Sequence, residues 1–353
     1  MFARIRTTLT ALISATASLF VTSAAFAVAP HEDISFNAVL RGTGSVSIHA
    51  DVYNNTECPG VVTILAVHGL AERGSMWSPL ASAIFADDAL GHVVKRIVAI
   101  DMPAHGLSGV PSLPSPLLFQ DLLIEDNASV LIQSIDALRG MGKGPQIVIG
   151  HSMGGLETQT AQEQLLAQGS SYLKHGVVGA ILLDAVPANG TQWTQPPPNS
   201  GTAQFIFTDP VLGTILGLPP QAGPFTGAFN RISDGALVPG TPSVDTFVAN
   251  NWVGPEPITT LLELIGTSAP LWRPFVRQNA FQLRNGTVLS VIAGAQDFLT
   301  PQVDQPILYT YLTGLSATGV TLYRPVNTDD SVHSMYISNP TGLLDALKNG
   351  VIH

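Results

Sequence analysis

Gln146-Ile147-Val148-Ile149-Gly150-His151-Ser152-Met153-Gly154-Gly155 is the stretch on which the reading of this chain turns. A short β-branched run leads into a glycine, then a serine flanked by small residues, then a longer segment to Gln168. That order predicts a buried strand, a sharp turn and a helix over 146–168. A serine at such a junction is pushed into unusual backbone geometry, with its hydroxyl exposed at the sheet edge. The small neighbours are needed because a Cβ there would clash with adjoining backbone. The helix after Ser152 places the positive end of its dipole at the hydroxyl. In a chain with 33 glycines the five-residue pattern alone is weak. The strand before it and the helix after it make it specific.

Short apolar runs alternate with amphipathic stretches on both sides, as in a mostly parallel sheet covered by helices. Val46–Tyr53 alternates as an early strand, antiparallel to a neighbour around Ala38–Arg41. Val61–Val67 and Val93–Ile100 are continuous apolar strands that end at His68-Gly69 and Asp101. Ser78–Ala89 has helical spacing. Leu118–Leu138 reads as one long helix with Leu122, Leu123, Val130, Leu131, Ile135 and Leu138 on a single face. Further strands are expected at Val178–Asp184, Val288–Ala293 and Val320–Tyr323, and further helices at Gln302–Leu312 and Met335–Lys348. From Pro187 to about Ala280 the pattern breaks. This segment is rich in proline and carries Trp193, Phe205, Phe225, Trp252 and Trp272, too long for a loop and too apolar for a flexible linker. It reads as a cap inserted between the sixth and seventh strands.

Composition narrows the function. Only 11% of the 353 residues are charged and 45% are hydrophobic, against about 25% charged in an average domain. Disorder is excluded. The four lysines, Lys95, Lys143, Lys174 and Lys348, are scattered singly, so no basic stripe is present for nucleic acid. The 33 glycines and 26 prolines interrupt any long heptad pattern. At the N-terminus, Arg4 and Arg6 precede an uncharged stretch ending in Ala25-Phe26-Ala27. A basic start, an apolar middle and small residues before a cut predict a secretory signal peptide over 1–27, with a retained anchor as the alternative. No other segment has the apolar length of a bilayer span. Loss of 1–27 removes two arginines and no acid, taking the formal charge from −10 to −12. The expected layout is 1–27 signal, 28–186 first part of the core, 187–280 cap and 281–353 second part. An exported protein follows, periplasmic or extracellular. Cys58 is the only cysteine, which excludes an intrachain disulfide. Asn54, Asn127, Asn189 and Asn285 begin glycosylation sequons.

With the turn around Ser152, other segments complete a pattern that resembles the α/β-hydrolase superfamily over essentially the whole mature chain. His68-Gly69-Leu70 is similar to that family's oxyanion-loop signature. Asp101-Met102-Pro103-Ala104-His105-Gly106-Leu107-Ser108 is similar to its Asp-x-x-Gly-His-Gly-x-Ser segment, with Ala104 where glycine is usual. Gly294-Ala295-Gln296-Asp297 and Val332-His333-Ser334 follow late strands, where the family places its acid and its histidine. The order Ser, Asp, His agrees with the family.

The resemblance implies a capped esterase- or lipase-like α/β fold with a nucleophile at Ser152, a base at His333 and an acid at Asp297. Asp184, at the end of the sixth strand, is the alternative acid, and Asp329 and Asp330 stay open. A serine hydroxyl attacks only when a base takes its proton, and the base needs a carboxylate to hold its tautomer. The backbone N–H groups of Leu70 and Met153 are the implied oxyanion donors. His68, His105 and His151 are read as structural, with His151 also near enough to touch an acyl group. A serine at 152 argues against the carboxylate-nucleophile chemistry of epoxide hydrolases and haloalkane dehalogenases. No metal or cofactor is expected, because the sequence has no H-E-x-x-H, no close histidine pair and no nucleotide loop. The expected reaction is hydrolysis of an ester, lactone or thioester with a sizeable apolar portion. Amide or C–C hydrolysis, acyl transfer, and ligand binding without turnover are the alternatives.

Overall fold

The computed structural model describes residues 31–57, 59–70, 72–117, 121–186, 288–294, 320–326, 333–350 and 352. The expected signal segment, the expected cap, Cys58, Asp297, Asp329, Asp330 and the expected helix Gln302–Leu312 lie outside these residues.

Among the described residues the strands are β1 (His31–Leu40), β2 (Gly44–Asn54), β3 (Val62–Val67), β4 (Val94–Ile100), β5 (Ile147–His151), β6 (Gly179–Leu183), β7 (Val288–Gly294) and β8 (Val320–Val326). They form one sheet in the order β1-β2-β4-β3-β5-β6-β7-β8. β2 runs antiparallel to β1 and β4, and the pairings from β4 through β8 are parallel. This is the predicted α/β architecture, with the early antiparallel hairpin where the alternation of Val46–Tyr53 put it. The helices are α1 (Ser78–Ala86), α2 (Leu90–Val93), α3 (Ile124–Gly140), α4 (Met153–Ala167), α5 (Met335–Ser338) and α6 (Pro340–Asn349).

Both faces of the sheet are covered, and this is why its strands read as continuous apolar runs. Side chains alternate between faces with period two. Leu65, Val67, Val98, Ile100, Val148 and Leu182 join one core with Val130, Leu131, Ile135 and Leu138 of α3 and Ala161 and Leu165 of α4. Ile64, Ala66, Ile97, Ile149, Ile181 and Leu183 face the other, with Leu80 and Ile84 of α1 and Leu343, Leu344 and Leu347 of α6. Each such side chain contributes at most about 1.5–3 kcal/mol of burial.

The helix expected over Ser78–Ala89 ends at Ala86, and two other helices differ more from the expectation. α3 starts at Ile124, later than Leu118, because Asp126 Oδ2 accepts the Leu123 N–H at 2.8 Å and closes the first turn. Arg41 locks that carboxylate, with Nε 2.9 Å from Oδ1. The helix expected over Met335–Lys348 divides at Asn339. Pro340 lacks an N–H and disfavours helical geometry in the residue before it. Asn339 caps the second piece by accepting the Gly342 N–H at 2.9 Å. Asn127 is buried, its Nδ2 donating to Glu157 Oε1 at 2.7 Å; the sequon there is closed to modification in the folded protein. Among the described residues no helix is long and apolar enough to cross a membrane.

Candidate active site

β3 has β4 on one side and β5 on the other. Winding reverses there, and the crevice outside the strand ends is where such sheets bind ligands. Val67 pairs in register with Gly150. The residues that follow therefore meet: a Cβ added to Gly69 would lie 2.9 Å from the Ser152 Cβ.

Ser152 has φ 52° and ψ −118°. Left-handed φ at a non-glycine residue costs about 1–3 kcal/mol and persists only when the surroundings hold it. Here the Ser152 N–H donates to the Leu183 carbonyl at 3.1 Å, and its own carbonyl accepts from Gly155 and Val186, each at 3.0 Å. The flanking glycines are required by close approach. A Cβ on Gly154 would collide with the carbonyls of Val67 and His68, and one on Gly150 with the Gly154 carbonyl and Thr158. Met153, fully buried, opens α4, so its N–H is among those with no acceptor inside the helix. Leu70 lies half-buried on the loop after β3.

His333 is buried, with its ring centroid 4.7 Å from that of His151. Its carbonyl accepts a hydrogen bond from His151 Nε2 at 2.8 Å. The loop of the expected base is thereby tied to the residue before the expected nucleophile. Asp184 is also buried, with φ 44°. Its Oδ1 accepts the Gly294 N–H at 2.7 Å, and its N–H donates to the Ile292 carbonyl at 2.9 Å. This carboxylate clasps the ends of β6 and β7.

Buried charge around the crevice is arranged in two groups. In the first, His68 Nδ1 donates to the Gly69 carbonyl at 2.8 Å and Nε2 accepts from Met102 N–H at 3.0 Å. Those partners require the neutral ring. Burial, then the neighbouring His105, lower its pKa to about 4. Beside it, Glu72 accepts from Gly69 N–H and faces His151. Burial alone would raise this carboxyl, but the His151 charge, its hydrogen bond and the Gly69 N–H bring it down to about 2.

In the second group, Asp101 accepts from Gly74 N–H at 2.7 Å, Leu107 N–H at 2.8 Å and His49 Nδ1 at 2.8 Å. Burial opposes its ionisation, yet the His49 bond and the two amides keep its pKa low. His49 Nε2 lies 3.2 Å from Asp33 Oδ1. The hydrogen bond to Asp101 outweighs burial and raises the pKa of His49. His49, Asp51 and Asp101 offer ligand atoms within 4.8 Å of one another, a convergence that the spacing of the sequence did not reveal. Both His49 nitrogens are committed to carboxylates, and Asp101 already has three donors. The arrangement is that of an ion-pair brace between β2, the loop after β4 and the start of the Gly74–Trp77 turn.

Asp51 is the unfavourable member of this brace: burial, then the Asp101 charge, raise its pKa from 3.8 to about 6. The native carboxyl binds its proton more tightly than the unfolded one. Stability is therefore highest below pH 3.8 as far as this group is concerned, and it falls as pH rises through 6. Asp51→Asn is expected to stabilise the protein at pH 8 by on the order of 2 kcal/mol. The gain shrinks to nothing below about pH 4, as read by urea unfolding at the two pH values.

A profile of the Alpha/beta hydrolase family matches residues 64–345. The chain belongs to that family. Protein phosphatase methylesterase 1 of Pongo abelii is 30% identical over 124 residues, 35% of this chain; the chain spans 29% of that relative's length. Among solved structures, a thermophilic esterase from Thermogutta terrifontis is 15% identical with a TM-score of 0.54, covering 90% of this chain and 97% of that one. The N-acyl homoserine lactonase AidH, complexed with N-butanoyl homoserine, is 15% identical with a TM-score of 0.55, covering 90% and 95%. The Cif epoxide hydrolase from Acinetobacter nosocomialis is 20% identical with a TM-score of 0.53, covering 90% and 88%. These likenesses establish the shared fold.

Proposed function

We propose that this protein is an exported serine hydrolase that cleaves an ester, lactone or thioester with a sizeable apolar portion through an acyl-enzyme. One observation carries the reading: Ser152 is held at φ 52° between β5 and α4, with Gly69 against it. Such a turn holds a strained backbone at the residue whose hydroxyl would act. In this reading His333 takes the Ser152 proton and later returns it to the leaving group. Asp297 holds the imidazole and offsets its charge, while the Leu70 and Met153 amides receive the developing oxyanion. Asp184, whose Oδ1 accepts the Gly294 N–H, is the alternative acid. The aromatic and proline-rich composition of segment 187–280 supports an apolar acyl group in this reading. Ester chemistry is also what the methylesterase relative's name states of that protein.

Purified protein treated with a fluorophosphonate is expected to gain one mass adduct on the peptide containing Ser152. Hydrolysis of nitrophenyl esters is expected to rise from acetate to longer chains. Absence of the adduct under conditions that label a known serine esterase leaves only ligand binding without turnover, and activity confined to acetate removes the apolar pocket.

A further inference from the structure

Glu72 lies four residues after His68 and is buried. Its Oε2 accepts the Gly69 N–H at 2.6 Å and faces His151 Nδ1 at 2.9 Å. Its Oε1 accepts from Ser334 Oγ at 3.3 Å. The other nitrogen of His151 is 2.8 Å from the His333 carbonyl. A carbonyl only accepts, and a carboxylate that already receives the Gly69 and Ser334 donors also accepts. Both nitrogens of His151 must therefore donate, so the ring is an imidazolium paired with the Glu72 carboxylate. Tyr336 and Trp77 close the pair off from water: the Tyr336 ring is 4.9 Å from His151 and stacks on Trp77 at 4.2 Å. Burial, then the Glu72 charge, push the Tyr336 phenol upward, so it stays neutral beside the pair.

We infer that Glu72 is a positioning residue, whose carboxylate, through an imidazolium at His151, sets the loop after β3, the Ser152 turn and the His333 loop in register with one another. Its catalytic meaning rests on the serine-hydrolase reading above; the protonation state of His151 does not. Without the Glu72 charge, His151 loses its second proton and gives up one of its two bonds. Either the His333 carbonyl or the loop after β3 is then released. A displacement on the scale of 1 Å at reacting groups costs about 100-fold in rate.

Two measurements test this. In the wild-type protein, labelled with nitrogen-15 at histidine, His151 is expected to keep both N–H protons at pH 8, the resonances being assigned by their loss in His151→Gln. A neutral His151 in the wild type overturns the inference, and this result requires no variant of Glu72 to fold. In Glu72→Gln, kcat per phosphonate-titratable site is expected to fall about 100-fold, with KM within roughly threefold, and phosphonylation to slow in parallel. Glu72→Asp, which keeps the charge, is expected to recover part of that loss. A purely structural Glu72 would lower the folded fraction and leave kcat per titrated site unchanged, which refutes the inference. Failure of the wild-type protein to take up phosphonate refutes the serine-hydrolase reading instead, leaving the His151 result standing.

Discussion

Ser152→Ala is expected to lower kcat by about 10⁶-fold, the scale seen when a triad nucleophile is removed. The fold should survive the change. The bonds from the Ser152 N–H to Leu183 and from Gly155 and Val186 to its carbonyl run through backbone, and alanine keeps the same Cβ. Backbone strain and chemistry can then be separated with Ser152→Gly. Glycine accepts φ 52° without the penalty paid by a side chain, so this variant is expected to be about 1 kcal/mol more stable than Ser152→Ala and equally inactive. Activity is read with the best nitrophenyl ester and stability by urea unfolding. Residual kcat within tenfold of wild type in Ser152→Ala would remove this residue from the chemistry.

Asp297→Asn is expected to cost about 10⁴-fold in kcat, because an amide in place of the carboxylate holds the wrong tautomer of the base. Asp184 responds differently. Asp184→Asn keeps an oxygen able to accept the Gly294 N–H, so activity and stability both remain near wild type. Asp184→Ala leaves that buried amide without its acceptor and costs about 1–3 kcal/mol of stability, with kcat per titrated site retained. The reverse pattern, a large kcat loss at 184 and near-full activity in Asp297→Asn, transfers the acid to Asp184.

The sheet was legible because strands buried on two faces must be apolar throughout: β3, β4, β5 and β6 stand within a residue or two of their expected positions. The early hairpin was legible from alternation, since β1 and the start of β2 have one wet face. α4 was legible from the glycine–serine pattern alone. It is buried nearly all round, with Glu157, Thr158, Gln159 and Thr160 inside, so it has no apolar stripe to read. Its polar side chains bond back to the chain instead, Thr158 to Gly154 at 2.8 Å and Gln159 to Val186 at 3.0 Å. The start of α3 was missed because Leu122 is buried before the helix begins, which extends an apolar pattern past its true end. Glu72 and His49 went unread for a related reason. Each draws its importance from residues distant in sequence, His151 for one and Asp101 for the other. Within its own loop, Glu72 is a lone acid between His68 and Trp77, and that spacing was the one visible sign of it.

The clasp between Asp184 and Gly294 has a consequence for how this chain tolerates change. β6 and β7 lie side by side and are stitched at their ends, although more than a hundred residues separate them in sequence. The chain leaves β6 at this clasped end and rejoins the sheet at Val288, which pairs with Gly179 at the opposite end of the two parallel strands. For such an excursion the entropy of closure rises only with the logarithm of its length, about 0.6 kcal/mol per doubling. A change of length in the connection from β6 to β7 is therefore expected to cost the ladder between them little.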